Sequence, residues 1–165
     1  MIKVAFFDID GTLLSFKTHR IPASAQQVLD SFHEQGIACV IATGRPTYQM
    51  PDWLFDLGWD AYITLSGQHC FDAGGVYRSC PIDPDDVAVI VDQVAQGRYD
   101  SLCMQGENSF VNRLSERVVT AGNNAGIVYH EEPFDHAFDA PVYQFCAFVD
   151  PSDEHIVTDA VSHSL

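Results

Sequence analysis

Two aspartates that follow a short apolar run, Asp8 and Asp10, are the residues of this 165-residue chain best suited to chemistry. The run before them, residues 3–7, shows no polar alternation, which predicts a β-strand buried on both faces, as in a parallel sheet. Gly11 then breaks the pattern as a turn residue. Ligands bind outside the carboxyl ends of the strands in open α/β sheets. The spacing therefore predicts one site where one carboxylate attacks while the other handles a proton or a metal.

A hydroxyl and an arginine follow the next apolar run, in the segment Thr43-Gly44-Arg45. Helical periodicity over residues 21–32 and the buried run at residues 37–42 predict a strand–helix–strand unit. Pro46 is expected to begin another helix that runs to about residue 57 and is interrupted by Pro51, and its first N–H groups would form an anion site. Arg45 would add a forked and permanent positive charge.

These two segments resemble the motifs of a known family. Residues 7–13, Phe-Asp-Ile-Asp-Gly-Thr-Leu, resemble the first motif of the haloacid dehalogenase superfamily of phosphatases. Thr43-Gly44-Arg45 resembles the second motif in the variant typical of the Cof-type branch. Without this second match, Asp10-Gly11 would be explained as ordinary turn chemistry.

The resemblance implies a role for each motif residue. Asp8 would be the nucleophile that takes up the phosphoryl group, and Asp10 would protonate the leaving group and then activate water. Mg²⁺ would be held by Asp8 and Asp10, the latter through its backbone carbonyl. The residues implied to bind phosphate or substrate are Thr12, Thr43, Gly44 and Arg45.

The order of elements predicts an α/β fold in two parts. Residues 1–80 are expected to form the first half of a Rossmann-like parallel sheet core, with a third strand at 61–65 and a hairpin around 72–75. Asp8, Thr43 and Ser66 are expected to lie together at the carboxyl ends of three adjacent parallel strands, ordered 1-2-3 from the first. Residues 81–165 resemble the α/β cap of type IIB and are predicted to be incomplete. In this part, a helix over residues 114–121 is expected to end at Gly122. Gln68 is a weaker candidate for substrate contact, and residues 14–20 are expected to form a flap.

Composition restricts the classes of partner. The net charge of −15, with 23 acidic and eight basic residues, argues against nucleic acid and against an anionic membrane surface. Five cysteines without a Cys-x-x-Cys pair are expected to be buried, reduced thiols of a cytoplasmic protein. The N-terminus does not resemble a signal peptide, and no apolar stretch is long enough to span a membrane.

Two parts of the family pattern have no counterpart in this sequence. The only lysines are Lys3 and Lys17, and no Gly-Asp pair occurs, whereas the family uses a later lysine and an acidic loop that holds Mg²⁺. We therefore expect a truncated protein, a cloned fragment or one part of a two-chain assembly. The strand at residues 4–7 would then lie at a sheet edge, which favours self-association. The alternative is that the cap or the C-terminal helix covers that edge.

Three functions remain open at this point. The first is a Mg²⁺-dependent phosphatase that acts on small phosphomonoesters such as sugar phosphates through an aspartyl-phosphate, in the full-length form. The second is a catalytically silent fragment or binding module. The third is a phosphomutase, which would hand the same phosphoryl group to a second sugar hydroxyl. Under the first and third readings the partner is a small phosphorylated metabolite.

Overall fold

The chain folds into two compact units, residues 1–80 and 81–165. The computed structural model describes residues 2–15 and 21–158, so most of the predicted flap at 14–20 lies outside the described residues. Within the described residues, there is no helix long and apolar enough to cross a membrane. Each unit has its own β-sheet.

The first unit holds a five-stranded sheet and two α-helices within its described residues. In chain order these elements are β1 (Val4–Phe7), α1 (Ala23–Glu34), β2 (Ala38–Ala42), α2 (Asp52–Phe55), β3 (Ala61–Thr64), β4 (His69–Asp72) and β5 (Gly75–Ser79). Short 3₁₀ helices lie at Thr47–Gln49 and Leu65–Gly67.

The sheet of the first unit is mixed, in the order β1-β2-β3-β4-β5. β1, β2 and β3 pair in parallel, with Phe7 opposite Ile41 and Ala42 opposite Ile63. β4 and β5 continue the sheet as an antiparallel hairpin. The predicted α/β fold and the predicted strand order 1-2-3 are therefore confirmed, and the carboxyl ends of β1, β2 and β3 meet at one edge.

Helix α1 connects the first two strands and ends sharply. Gly36 adopts a φ of +68°, its N–H donates to the His33 carbonyl, and the Ile37 N–H donates to the Phe32 carbonyl. This is the glycine-ended pattern that satisfies the last helical carbonyls and turns the chain back. Leu29 on the helix packs in the core of the unit together with Ile41. The turn thus brings β2 alongside β1, with which it pairs in parallel.

Strand β1 is an edge strand, and the prediction that both its faces are buried is wrong. Phe7 packs against Trp59, with ring centroids 5.4 Å apart, but Val4 and Phe6 on the other face are 43% and 63% exposed. Among the described strands, β1 pairs with β2 alone. The predicted edge position is confirmed. A run of apolar residues alone does not show whether other segments pack against both faces of the strand.

The predicted helix from Pro46 to about residue 57 is interrupted at Pro51, as expected, but it is much shorter than predicted on both sides. The chain instead forms one 3₁₀ turn at Thr47–Gln49 and the four-residue helix α2. Pro51 lacks an N–H group and disfavours helical backbone in the residue before it. Met50 is accordingly extended, with φ −85° and ψ 136°. The argument for an anion site at the start of a long helix is lost with that helix.

The second unit is built on an antiparallel sheet. Its described elements are α3 (Pro84–Ala95), β6 (Asp100–Gln105), β7 (Ser109–Val111), α4 (Glu116–Ala125), β8 (Val142–Phe148) and α5 (His155–Thr158), with 3₁₀ turns at Phe134–Phe138 and Pro151–Asp153. The strand order is β7-β6-β8. Asp83 caps α3 by accepting a 2.9 Å hydrogen bond from the Asp85 N–H, so this acidic run serves a helix start.

Helix α4 runs through Gly122, where the sequence had predicted its end. The left-handed residue that ends it is Gly126, with φ +69°. A Cβ added at Gly122 would lie 2.7 Å from the Ile127 carbonyl oxygen and 3.1 Å from the Tyr129 ring. The position thus requires glycine because the chain that follows the helix passes close to it. The helix continues through Gly122 although glycine is a poor helix former.

We expect Gly122→Ala to destabilise the second unit by about 1–3 kcal/mol, because the added methyl overpacks a backbone contact. Helix propensity alone predicts the opposite sign, a gain of about 0.5–1 kcal/mol. The free energy of unfolding is measured by urea denaturation followed by circular dichroism. Tryptophan fluorescence would not follow the second unit, because both tryptophans, Trp53 and Trp59, lie in the first.

The matched control is Gly106→Ala in the same unit. A Cβ at Gly106 would meet only the Tyr143 ring, at an ordinary 3.6 Å. Its effect should stay within about 0.5 kcal/mol. A Gly122→Ala protein as stable as the unmodified chain would contradict the close approach.

Candidate active site

The loop after β1 presents two carboxylates because its apolar residues turn inward. Ile9 is fully buried between Asp8, which is exposed, and Asp10, which is half-buried. Leu13 and Leu14 are also buried, and their N–H groups donate to the Ile9 carbonyl at 3.1 and 2.8 Å. The loop is therefore anchored by its own hydrophobic residues. Thr12 lies in its exposed part.

The loop after β2 carries the second predicted group of site residues. Thr43 is only 5% exposed, and its hydroxyl oxygen accepts a 3.1 Å hydrogen bond from the Arg45 N–H. Gly44 is exposed between them. Because β1 and β2 are parallel and in register, this loop and the Asp8–Asp10 loop lie at the same edge of the sheet.

A tight corner after β3 supports the Thr43 loop. Leu65 and Ser66 have φ values of +50° and +56°, which side-chain-bearing residues seldom adopt. Their N–H groups donate to the carbonyls of Arg45 at 3.1 Å and Thr43 at 3.2 Å. Leu65 is fully buried, so packing holds the corner in place. Backbone strain of this kind persists only where the surroundings over-determine it.

Arg45 bridges the two loops through its side chain. Its Nε donates to one carboxylate oxygen of Asp10 at 2.8 Å, and its Nη2 donates to the other at 2.6 Å. Its Nη1 donates to the Gln49 carbonyl at 2.8 Å. The structure thus places a predicted phosphate-binding residue directly on the predicted acid–base residue. The phosphate-binding role of Arg45 stays a prediction.

Binding of Mg²⁺ at this edge of the sheet stays a prediction. Mg²⁺ takes one or two carboxylates, substrate phosphate oxygens and waters, and it seldom relies on an all-protein cage. Asp8 offers an exposed carboxylate, whereas both oxygens of Asp10 are engaged by Arg45. Within residues 2–15 and 21–158, no cluster of three acidic, histidine or cysteine side chains could hold a metal. Asp8 and the Asp10 carbonyl are the protein donors that remain.

Burial keeps two of the cysteine thiols, Cys39 and Cys103, in their un-ionised form. All five cysteines are free, as expected from the sequence, but the prediction that all are buried is wrong, since Cys80 is half-buried and Cys146 is exposed. Burial, together with the negative charge of Asp60, raises the pKa of Cys39. Burial raises the pKa of Cys103 to about 12. A thiol must ionise to attack or to bind a metal, so these groups are inert at neutral pH.

Two contributors to this site were missed by the sequence analysis. The Gln49 carbonyl holds the far side of the Arg45 guanidinium, and no pattern announces a carbonyl partner. The Leu65–Ser66 corner was also missed: Gly67 signals a turn, but the positive φ values begin two residues earlier. Gln68, the weaker candidate, has a buried Oε1 without a hydrogen-bond partner among the described residues.

Comparison with known proteins gives one family. The family model of the haloacid dehalogenase-like hydrolases matches residues 5–165. A Streptococcus pyogenes protein named as a bifunctional phosphatase/peptidyl-prolyl cis-trans isomerase is 34% identical over 155 residues, which cover 92% of this chain and 32% of that protein.

Solved structures agree with this result. A subclass IIB sugar phosphatase superposes with a TM-score of 0.81 at 30% identity, over 96% of this chain and 63% of that one. A phosphatase from Bacteroides thetaiotaomicron superposes with a TM-score of 0.84 at 29% identity, over 96% of this chain and 60% of that one. The chain thus spans about a third of the curated relative and about three-fifths of these structures.

We expect Thr43→Val to destabilise the first unit by about 1–3 kcal/mol, because it leaves the Arg45 N–H without its acceptor in a buried place. Thr43→Ser keeps the hydroxyl and should retain most of the stability. Tryptophan fluorescence in urea follows the first unit, which holds Trp53 and Trp59. Equal stability of the valine and serine variants would show that the hydroxyl does not hold the loop.

Proposed function

Because the chain belongs to the haloacid dehalogenase-like hydrolases, we propose that its first unit carries the phosphoryl-transfer site of a Mg²⁺-dependent phosphatase. The observation that carries this proposal is the meeting of the Asp8–Asp10 loop and the Thr43 loop, joined by the Asp10–Arg45 contact. Phosphatase relatives over nearly the whole chain support it.

The proposed reaction has two steps. A carboxylate oxygen of Asp8 attacks phosphorus and forms an aspartyl-phosphate, while Asp10 gives a proton to the departing alcohol oxygen. Asp10 then takes a proton from water, the water oxygen attacks phosphorus, and inorganic phosphate leaves with Asp8 regenerated. Thr12, Thr43, Gly44 and the remaining N–H donors of Arg45 would hold the phosphate oxygens.

The proposed site needs further positive charge to bind a phosphate group. Among the proposed site residues, two carboxylates face one guanidinium, so their sum is negative and repels a phosphate dianion. Mg²⁺ bound to Asp8 and to the Asp10 carbonyl would neutralise the phosphate and stabilise the charge of the transferring group. No lysine follows Lys17 in this sequence. A missing stabilising group of this kind is often worth about 3–4 kcal/mol, on the order of a hundredfold or more in rate.

For the substrate, we propose a small phosphomonoester such as a sugar phosphate. A solved relative at 30% identity is a sugar phosphatase, which supports this class. We assign the second unit, residues 81–165, the role of a cap that selects the substrate. A phosphomutase would share the same aspartyl-phosphate, but no feature of the described residues favours it over a phosphatase.

The experiment is Mg²⁺-dependent phosphorylation of the purified chain by a generic phosphomonoester, read as aspartyl-phosphate by mass spectrometry and as released phosphate. We expect slow, Asp8-dependent turnover, below ordinary enzyme rates. Asp8→Asn should lower it by roughly a thousandfold or to background. The control is Asp30→Asn, an exposed aspartate of α1 that accepts a bond from Gln26 and should keep the activity.

Each other result has a distinct meaning. Hydrolysis retained in Asp8→Asn would contradict the assignment of Asp8 as the nucleophile. Turnover at ordinary enzyme rates would contradict the need for further positive charge. Absence of any Asp8 phosphorylation with Mg²⁺ present would favour the silent binding module.

We also propose that the chain self-associates through β1. The support is the free edge of this strand together with the exposure of Val4 and Phe6. Leaving a phenylalanine side chain in water forfeits roughly 1.5–3 kcal/mol. Edge pairing would satisfy the strand's N–H and C=O groups and bury this face at once.

Sedimentation velocity at micromolar concentration tests this pairing. We expect the unmodified chain to form dimers or larger species, and Phe6→Lys to shift it to monomer. Phe138→Lys is the matched control, since Phe138 is 57% exposed but belongs to the second unit. A monomeric unmodified chain would refute strand sharing, and equal effects of both variants would show that the association is unspecific.

A further inference from the structure

The contact between Arg45 and Asp10 indicates a role for Arg45 beyond phosphate binding, and the inference rests on the function proposed above. We propose that Arg45 is a positioning residue for Asp10. Its guanidinium fixes the orientation of the Asp10 carboxylate, the group that takes the proton from water in the second step. Neither the sequence motif nor the family match assigns this role.

The geometry constrains both oxygens of Asp10. Two nitrogens of one planar group, Nε and Nη2, donate to the two carboxylate oxygens at 2.8 and 2.6 Å. A two-point contact of this kind sets the plane of the carboxylate as well as its distance. A single donor would leave the group free to rotate about its last bond.

Arg45 is itself held on three sides. Its Nη1 donates to the Gln49 carbonyl, its backbone N–H donates to the Thr43 hydroxyl, and its carbonyl accepts from the Leu65 N–H. Pro46, which is fully buried, fixes the chain immediately after it. These contacts restrain both the backbone and the side chain of Arg45. The orientation of the Asp10 carboxylate is therefore set by the loop that carries Thr43 and Arg45.

The hydrogen-bond pattern matches the shape of a carboxylate. Two N–H donors of one planar group meet two acceptor oxygens, one donor to each oxygen. The contact therefore restrains the group that takes a proton from water in the second step.

The contact is too exposed to be explained by stability. The side chains of Arg45 and Asp10 are 30% and 39% exposed, and ion pairs in contact with water contribute little to folding. Loss of Arg45 should therefore leave the melting temperature of the first unit almost unchanged. Its effect should appear in the orientation of Asp10 and in the second chemical step.

The first test needs no turnover. In ¹⁵N-labelled chain, NMR follows the Nε–H signals of the six arginines, and the Arg45 signal is identified by its loss in Arg45→Lys. We expect this signal to be slow in hydrogen exchange and to move to the position of an unbound arginine in Asp10→Ala. Asp30→Ala, at an exposed aspartate of the same unit, should leave it in place.

Addition of inorganic phosphate with Mg²⁺ separates the two roles of Arg45. A positioning residue keeps its Nε–H on Asp10, so the signal should stay and remain sensitive to Asp10→Ala. Movement of the signal on phosphate addition, with loss of that sensitivity, would show that Arg45 exchanges Asp10 for phosphate. That result, or a signal indifferent to Asp10→Ala from the start, overturns the proposal.

Kinetics supply the second test, with Arg45→Lys, Arg45→Met and the control Arg98→Met. Arg98 is a surface arginine of the second unit whose Nε donates to Gln96. We expect both Arg45 variants to lower kcat by tenfold or more, in addition to any rise in KM from lost phosphate contacts, and to accumulate aspartyl-phosphate. Lysine carries the charge but cannot form the fork. Full rescue by lysine, or a rise in KM alone, would contradict positioning.

The two proposals fail in different ways. Absence of Asp8-dependent chemistry would end the proposed phosphatase function, yet the NMR measurement would still report the partner of Arg45. Asp8-dependent turnover with an Arg45 signal independent of Asp10 would leave the phosphatase intact and end the positioning role.

Discussion

The parallel pairing of β1 with β2 is the constraint on which the rest of the first unit depends. Phe7 lies opposite Ile41, so both strands deliver their following loops to one edge of the sheet. Asp10 and Arg45 are 35 positions apart in the sequence and come within hydrogen-bond distance only because of this register. A shift of one residue would exchange the faces of β1 and bury its exposed side chains in place of Phe7.

The third strand completes this arrangement from the other side. The corner at Leu65 and Ser66 donates two backbone N–H groups to the loop that carries Thr43 and Arg45. These two hydrogen bonds connect the Thr43 loop to the end of β3. The cost is two side-chain-bearing residues with positive φ, which the buried Leu65 side chain stabilises through packing. Rigidity at the site thus derives from the sheet and not from a long helix.

Local signals in the sequence predicted the buried strand β2, the strand order and the meeting of the Asp8–Asp10 and Thr43 loops at one edge of the sheet. They failed where the outcome depends on distant parts of a chain. The run at residues 4–7 could not reveal that Val4 and Phe6 would be uncovered. The interruption of the helix at Pro51 was predicted, but the shortness of the two helical pieces beside it was not. Gly122 looked like a helix end, although it serves a packing contact. The partner of Arg45 is a matter of tertiary geometry, which no motif encodes.

The burial of Ile9 between the two aspartates has a consequence for how such a site can change over evolutionary time. The side chain has no chemistry of its own, yet it decides how far apart and at what angle the two carboxylates emerge. A smaller or larger residue there would move both acids together, without touching either of them. The placement of the two carboxylates and the hydrophobic core of the unit thus depend on one buried side chain, and a substitution beneath the surface can alter this edge of the sheet without changing either aspartate.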